Sequence, residues 1–277
     1  MAGAGAAAGS EPVIDSLAET WTSMVEACTG LDDGQWALPT TCPGWSVRDQ
    51  VSHLIGIEHT LLGDPAPPPV TPVPPYVRNP IGEMNEAWIE ARRQTPGSEV
   101  LAEFVDVTDR RLAELRSFPP ERFEEIGWSP IGQVPYRDFM DTRLLDSWTH
   151  EQDVRRALDR PGGRNGAGEK HILKQCAGAM SFVVGKKVGP PDGTTVLFEV
   201  GGVLGRSVPV EVEGGRAYVR AELTSEPTVI LTMDQEAFWR LGFGRVSPTE
   251  VLGSGEARLS GDVALGQRVL ECMNFMI

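Results

Sequence analysis

Residues 41–54 read TCPGWSVRDQVSHL, and this stretch decides how the first half of the chain folds. Ser46 is followed three residues later by Asp49, which is the spacing of a capping box at the start of a helix. Apolar side chains then recur at helical spacing, among them Val51 and Leu54. The stretch therefore predicts a helix that begins after Ser46 and carries His53 in its second turn.

Helical spacing extends through the rest of the first half. Apolar residues recur every three or four positions over 14–28, 82–94 and 100–115. A longer helix is predicted from about Pro135 to Leu158, with Pro135 in its first turn. Between these segments, residues 63–80 contain eight prolines, which cannot continue a regular helix or an inner strand. The pattern indicates a helical bundle over residues 11–160, interrupted by a stiff, extended excursion.

The periodicity changes in the second half of the chain. Residues 160–166 read RPGGRNG, the composition of a linker. After a helical segment at 169–187, the sequence alternates as strands do, with a hairpin turn at 213–216; the predicted strands are 195–200, 207–212, 217–223 and 228–233. The expected architecture is a helical bundle followed by a small α+β domain over residues 169–277.

Composition and charge exclude several classes of partner. The chain has 25 basic and 39 acidic side chains and a formal charge of −14. Such a balance argues against nucleic acids and anionic membranes as partners. The most apolar run, 176–185, is about half as long as a membrane-spanning helix. Residues 1–10, rich in Ala and Gly, lack the features of a secretory signal and predict a disordered tail.

The cysteines indicate the compartment. The chain has four, and their positions contain no CxxC pair. In a chain of this length that pattern does not predict a disulfide scaffold. We expect reduced thiols in a cytoplasmic protein.

Histidine is scarce, so each position can be weighed. His150 follows Asp146 by four residues, which places both on one face of the long helix. If the bundle brings His53 against them, two imidazoles and one carboxylate form a recurring set for zinc or another divalent ion, with a position left open. The alternative is structural: Arg143 pairs with Asp146, and His150 hydrogen-bonds to a neighbour.

Other polar residues have possible roles around such a site. Asp49 lies one turn before His53, and Asp153 follows His150 by three residues, so each is a candidate to orient a histidine ring. Arg143 is a candidate catalytic residue, because its planar guanidinium suits a substrate carboxylate. A purely structural ion pair of Arg143 with a bundle acid stays open as the alternative.

Three stretches resemble the mycothiol-dependent maleylpyruvate isomerase family: residues 41–54, residues 143–154 (RLLDSWTHEQDV) and residues 255–262 (GEARLSGD). The resemblance implies a DinB-like four-helix bundle with a divalent metal site, followed by a smaller sterol-carrier-like α+β domain. His53 and His150 stand at the positions of the histidine ligands. Asp146 falls where the isomerase has glutamate, a longer carboxylate.

The resemblance also implies a function. We expect a divalent metal, with zinc as the first candidate, mycothiol as thiol cosubstrate, and an isomerase or S-transferase acting on a small maleylpyruvate-like electrophile. Two alternatives stay open, namely a metal-dependent hydrolase on the same bundle and a non-catalytic protein that binds a small ligand. We expect a monomer or a homodimer, with no nucleic-acid or membrane partner.

Overall fold

The computed structural model describes residues 11–130 and 132–275. They form two compact units that meet in sequence between Arg164 and Asn165. The predicted boundaries at residues 160 and 169 stay a prediction, and the predicted tail at residues 1–10 lies outside the described residues. Within the described ranges, the helices lack the combination of length and apolarity needed to cross a membrane.

The first unit is built on a bundle of four long helices. Helix α1 packs on α5 and α6, and α3 packs on the same two helices. Two shorter helices, a 3-10 turn at Pro120–Glu124 and a two-stranded hairpin complete the unit. The elements are α1 (Pro12–Cys28), α2 (Asp33–Trp36), α3 (Val47–Leu61), α4 (Pro80–Glu90), α5 (Gly97–Ser117), β1 (Ile126–Ser129), β2 (Gly132–Pro135) and α6 (Tyr136–Ala157).

The predicted capping box sets the start of α3. The Asp49 amide donates to Ser46 Oγ over 3.3 Å, and the Ser46 amide donates to Asp49 Oδ2 over 2.8 Å. Both bonds satisfy amides that have no partner inside the helix. Helix α6 starts slightly later than predicted, because Pro135 is its N-cap residue and not part of its first turn.

A glycine lets α3 and α4 approach closely. A Cβ atom on Gly56 would lie 2.4 Å from the side chain of Trp88, well inside the contact distance of two carbons. Trp88 is itself buried, with 5% of its surface exposed. The contact therefore has no room for even one methyl group.

We predict that Gly56→Ala destabilises the protein by about 1–3 kcal/mol, the usual cost of overpacking a dense core. Denaturant unfolding followed by circular dichroism measures the change. Gly178→Ala is the matched control, because Gly178 also lies inside a helix but a Cβ there meets nothing within 4 Å. The control should be neutral or slightly stabilising, since alanine is the better helix former. Equal losses in the two variants would contradict this account.

The second unit is a small α+β domain. Helix α7 (Ala167–Phe182) continues into a π-helical turn at Val183–Val188. The strands are β3 (Thr195–Gly201), β4 (Arg206–Glu213), β5 (Arg216–Val219), β6 (Val229–Asp234) and β7 (Ala257–Gly261), and the remaining helices are α8 (Gln235–Gly242), α9 (Pro248–Ser254) and α10 (Val263–Cys272). They form one sheet in the order β5-β4-β3-β6-β7, in which only the β3–β6 pair is parallel. The expected order of a helical domain and an α+β domain is confirmed.

Local signals explain which elements were predicted. Gly214 and Gly215 both have positive φ angles, 58° and 72°, as a tight hairpin turn between β4 and β5 requires. The β1–β2 hairpin was not predicted, because it is short and its apolar residues face solvent; Ile126 and Trp128 are 65% and 66% exposed. Helix α9 was also missed, although Ser247 and Glu250 form a capping box that marks its start.

Candidate metal centre

The bundle brings the three predicted ligands together. His53 comes from α3, and Asp146 and His150 come from neighbouring turns of α6. Asp146 Oδ1 lies 3.5 Å from His53 Nε2 and 3.4 Å from His150 Nε2. One donor atom of each residue lies within 4.8 Å of the other two. Both histidines are buried, and the Asp146 side chain is 20% exposed.

The spacing of the three groups fits a divalent ion. Two ligands that each lie about 2.1 Å from a tetrahedral zinc are about 3.4 Å apart. The distances from Asp146 Oδ1 to the two Nε2 atoms agree with this value to within about 0.1 Å. Two imidazole nitrogens and one carboxylate oxygen form a donor set suited to zinc and other divalent transition metals. The residues present therefore fit the ion that the sequence suggests.

Burial and mutual charge set the protonation of the cluster. Burial lowers the pKa of His53 below its ordinary value despite the neighbouring Asp146. Burial would raise the pKa of Asp146, but the charges of His53, Arg143 and His150 outweigh it and hold that pKa well below normal. Burial would also lower the pKa of His150, but Asp146 raises it well above normal. These shifts favour an ionised Asp146 beside a protonated His150.

Arg143 holds the other side of the same carboxylate. Its Nη1 donates to Asp146 Oδ2 over 2.7 Å, and its Nη2 donates to Glu58 Oε1 over 2.6 Å. Glu58 lies on α3 and is only 1% exposed, and Arg143 is 5% exposed. Arg143 thus forms ion pairs with two acids of the bundle, as expected if its role is structural and not to bind a substrate carboxylate. Asp146 Oδ1 lies near both histidines, and Oδ2 also lies 3.3 Å from His53 Nε2.

We predict that Arg143→Met destabilises the protein by about 3–5 kcal/mol, because Asp146 loses its arginine partner and the buried Glu58 carboxylate keeps only the longer contact to Arg111. Denaturant unfolding gives the change in the free energy of unfolding. Combining Arg143→Met with Glu58→Gln should recover a large part of the loss, since the buried charge is then removed as well. Strictly additive losses in the double variant would contradict this pairing.

Trp45 forms a wall of the cluster, a position that the sequence analysis did not predict. The centre of its ring system lies 5.0 Å from the His53 ring and 5.8 Å from the His150 ring. Its indole Nε1 donates to Glu86 Oε2 over 3.3 Å, and Glu86 Oε1 accepts the Tyr76 hydroxyl over 2.7 Å. The nearness of Trp45 to His53 in the Pro-Gly-Trp stretch is the one sequence signal that could have indicated this position.

The proline-rich excursion fixes the loop that carries Trp45. Gly44 has a φ angle of +79°, and a Cβ atom there would lie 2.4 Å from the Tyr76 ring. Only glycine meets both requirements without strain. The glycine of the Pro-Gly-Trp stretch is thus needed for the contact between this loop and the excursion.

The two aspartates predicted to orient the histidines behave differently. The Asp49 carboxylate accepts the Ser46 amide and hydroxyl, so the prediction that it orients His53 is wrong. Nδ1 of His53 and Nδ1 of His150 are both buried and make no hydrogen bond among the described residues. Asp153 Oδ2 lies 3.4 Å from His150 Nδ1, on the side of the ring away from Asp146. Asp49 cannot orient His53 because its carboxylate already caps the start of α3.

The fold and this cluster define a class of protein: a helical bundle with a candidate metal centre, joined to an α+β domain. The chain belongs to the family of the mycothiol maleylpyruvate isomerase N-terminal domain, whose sequence profile matches residues 17–155. Residues 182–274 match the profile of the SCP-2 sterol transfer family. The two matches follow the order of the bundle and the α+β domain.

Solved structures share the fold over most of the chain. The crystal structures of the mycothiol-dependent maleylpyruvate isomerase and of one of its mutants superpose with TM-scores of 0.55 and 0.56, at 14% sequence identity. Each alignment covers 90% of this chain and 92% of the isomerase chain. Similarity at this identity shows a common fold.

Relatives of similar sequence occur in Mycobacterium tuberculosis. Uncharacterized proteins from two strains are 29% identical to this chain over 132 residues. The match covers 45% of this chain and 48% of each relative, so the chain spans about half the length of these proteins.

Proposed function

We propose that this protein is a divalent-metal-dependent enzyme that uses mycothiol as cosubstrate and acts on a small electrophile as an isomerase or S-transferase. One observation carries the proposal: Nε2 of His53 and Nε2 of His150 both lie at ligand spacing from Asp146 Oδ1. Membership of the mycothiol maleylpyruvate isomerase N-terminal domain family supports the choice of thiol. Zinc is the first candidate for the ion, because the donor set of two nitrogens and one oxygen is one that zinc commonly takes.

Each residue around the cluster has a definite task in this proposal. His53, Asp146 and His150 would hold the ion, which when bound lowers the pKa of a coordinated thiol and supplies thiolate near neutral pH. Arg143 donates to Asp146 Oδ2 and would hold the carboxylate in place against the two histidines. Trp45 packs against both rings and would limit their movement.

The proposed isomerisation needs no reactant besides the electrophile and the thiol. The thiolate sulfur forms a bond to one carbon of a conjugated double bond, and the electron pair moves onto the adjoining carbonyl group. Rotation about the resulting single bond, followed by cleavage of the C–S bond, returns the isomer and the thiolate. In a transferase the adduct takes up a proton and leaves. A maleylpyruvate-like compound is the proposed substrate class.

We predict that the purified protein contains close to one equivalent of divalent metal, measured by inductively coupled plasma mass spectrometry. His53→Ala and His150→Ala should each lose most of it, because each removes one of three ligands. His59→Ala is the matched control: His59 lies on the same helix, but its ring nitrogens contact Asp64 and Glu103. Full metal content in both ligand variants would overturn the metal site.

We further predict that turnover requires an added low-molecular-weight thiol. A panel of conjugated electrophiles is incubated with metal-loaded protein, with and without mycothiol, and products are followed by chromatography. Activity should appear only with the thiol and should be lost in His53→Ala. Equal turnover without any thiol would instead support the hydrolase alternative, in which a metal-activated water is the nucleophile.

A further inference from the structure

The loop before α3 makes a second contact with α6, next to the candidate metal centre. Thr41 Oγ1 donates to Asp153 Oδ1 over 2.8 Å, and Cys42 Sγ donates to Asp153 Oδ2 over 3.5 Å. Asp153 is 2% exposed, and its Oδ2 faces His150 Nδ1 at 3.4 Å. Each carboxylate oxygen thus has a donor from the loop, and one of them also faces the histidine.

This arrangement determines how His150 presents its ring. A neutral imidazole carries a proton on one nitrogen and a lone pair on the other. When His150 is neutral, Nδ1 beside a carboxylate keeps the proton, and the lone pair of Nε2 would be free to bind an ion held together with Asp146 and His53. Histidine ligands of metals usually donate their second nitrogen in this way, which fixes the ring and strengthens the ligand.

We propose that Asp153 is a positioning residue for His150, and that Thr41 and Cys42 hold Asp153 in place. The inference rests on the proposed metal site. It makes the two histidines unequal. Among the described residues neither Nδ1 atom makes a hydrogen bond, but the Asp153 carboxylate lies 3.4 Å from Nδ1 of His150, within ion-pair distance. His150 is the ligand oriented by a carboxylate, and His53 is the ligand oriented by packing against Trp45.

The same atoms suggest a competing arrangement. Donor atoms of Cys42, His150 and Asp153 also lie within 4.8 Å of one another, so they could hold an ion themselves. However, a neutral His150 that binds an ion through Nε2 keeps its proton on Nδ1 and has no lone pair there for a second ion. With the first site occupied, Asp153 accepts the Nδ1 proton, and Cys42 remains a thiol donor.

Zinc affinity, measured by competition with a chromophoric chelator, tests the inference. Asp153→Ala and Asp153→Asn should weaken zinc binding by about 10- to 100-fold, the usual cost of losing such a partner. Thr41→Val should weaken it by up to about 10-fold, and Thr41→Ser, which keeps the hydroxyl, should restore it. Asp138→Asn, which removes an exposed acid from the first turn of α6, is the control and should bind as wild type.

A spectroscopic signature separates positioning from a general loss of structure. In zinc-loaded protein with ¹⁵N-labelled histidine, His150 should show a slowly exchanging Nδ1 proton that is lost in Asp153→Ala. With Co²⁺ in place of zinc, no thiolate-to-metal charge-transfer band is expected. Such a band in wild type that disappears in Cys42→Ser would overturn the inference, since Cys42 would then be a ligand.

The remaining outcomes distinguish this inference from the proposed function. If wild type binds zinc and His53→Ala does not, but folded Asp153→Ala binds as wild type, only the positioning role fails. If wild type binds no zinc, the metal site and the positioning role both fail. Should Asp153→Ala not fold, the comparison of Thr41→Val with Thr41→Ser decides, because Thr41 lies on an exposed loop.

Discussion

The Asp146 carboxylate is the group on which the centre of the bundle depends. Its Oδ2 accepts a hydrogen bond from Arg143 and lies 3.3 Å from His53 Nε2, and its Oδ1 lies within 3.5 Å of both imidazoles. Burying a charge costs free energy unless the charge has a partner, so a charged group that contacts Asp146 also needs a partner of opposite charge. For Arg143 this partner is Glu58, which also forms an ion pair with Arg111 on α5. The result is a continuous chain of charges linking α3, α5 and α6.

The stretch at 41–54 serves this centre in three ways. It supplies one candidate ligand, His53, and one wall, Trp45. Through Thr41 it also reaches Asp153, which faces the other histidine from a position 112 residues further along the chain. Residues 41–54 and 143–154 therefore depend on each other, because the loop before α3 contacts residues on both sides of the candidate metal centre.

Asp146 stands where the resemblance places a glutamate, and the geometry shows how the shorter side chain is accommodated. The backbone of α6 already places Asp146 and His150 one turn apart, so Oδ1 reaches His150 Nε2 at 3.4 Å. Arg143, one turn before Asp146, fixes the remaining oxygen. The sequence predicted this face of α6 and the presence of a second histidine. It left open whether Arg143 served a substrate or the bundle, because Glu58 lies 85 residues earlier.

The sequence by itself determined what acts within one or two turns of chain: the capping box at Ser46, the shared face of Asp146 and His150, and the change from helical to strand periodicity in the second half. Tertiary structure alone decided that His53 meets that face and that Trp45 covers it. The sequence offered both Asp49 and Asp153 as partners of a histidine, and the structure showed that Asp153 alone of the two faces a ring. The physical reason is that caps and helical faces follow from local backbone geometry, whereas contacts between helices depend on how whole side-chain surfaces pack.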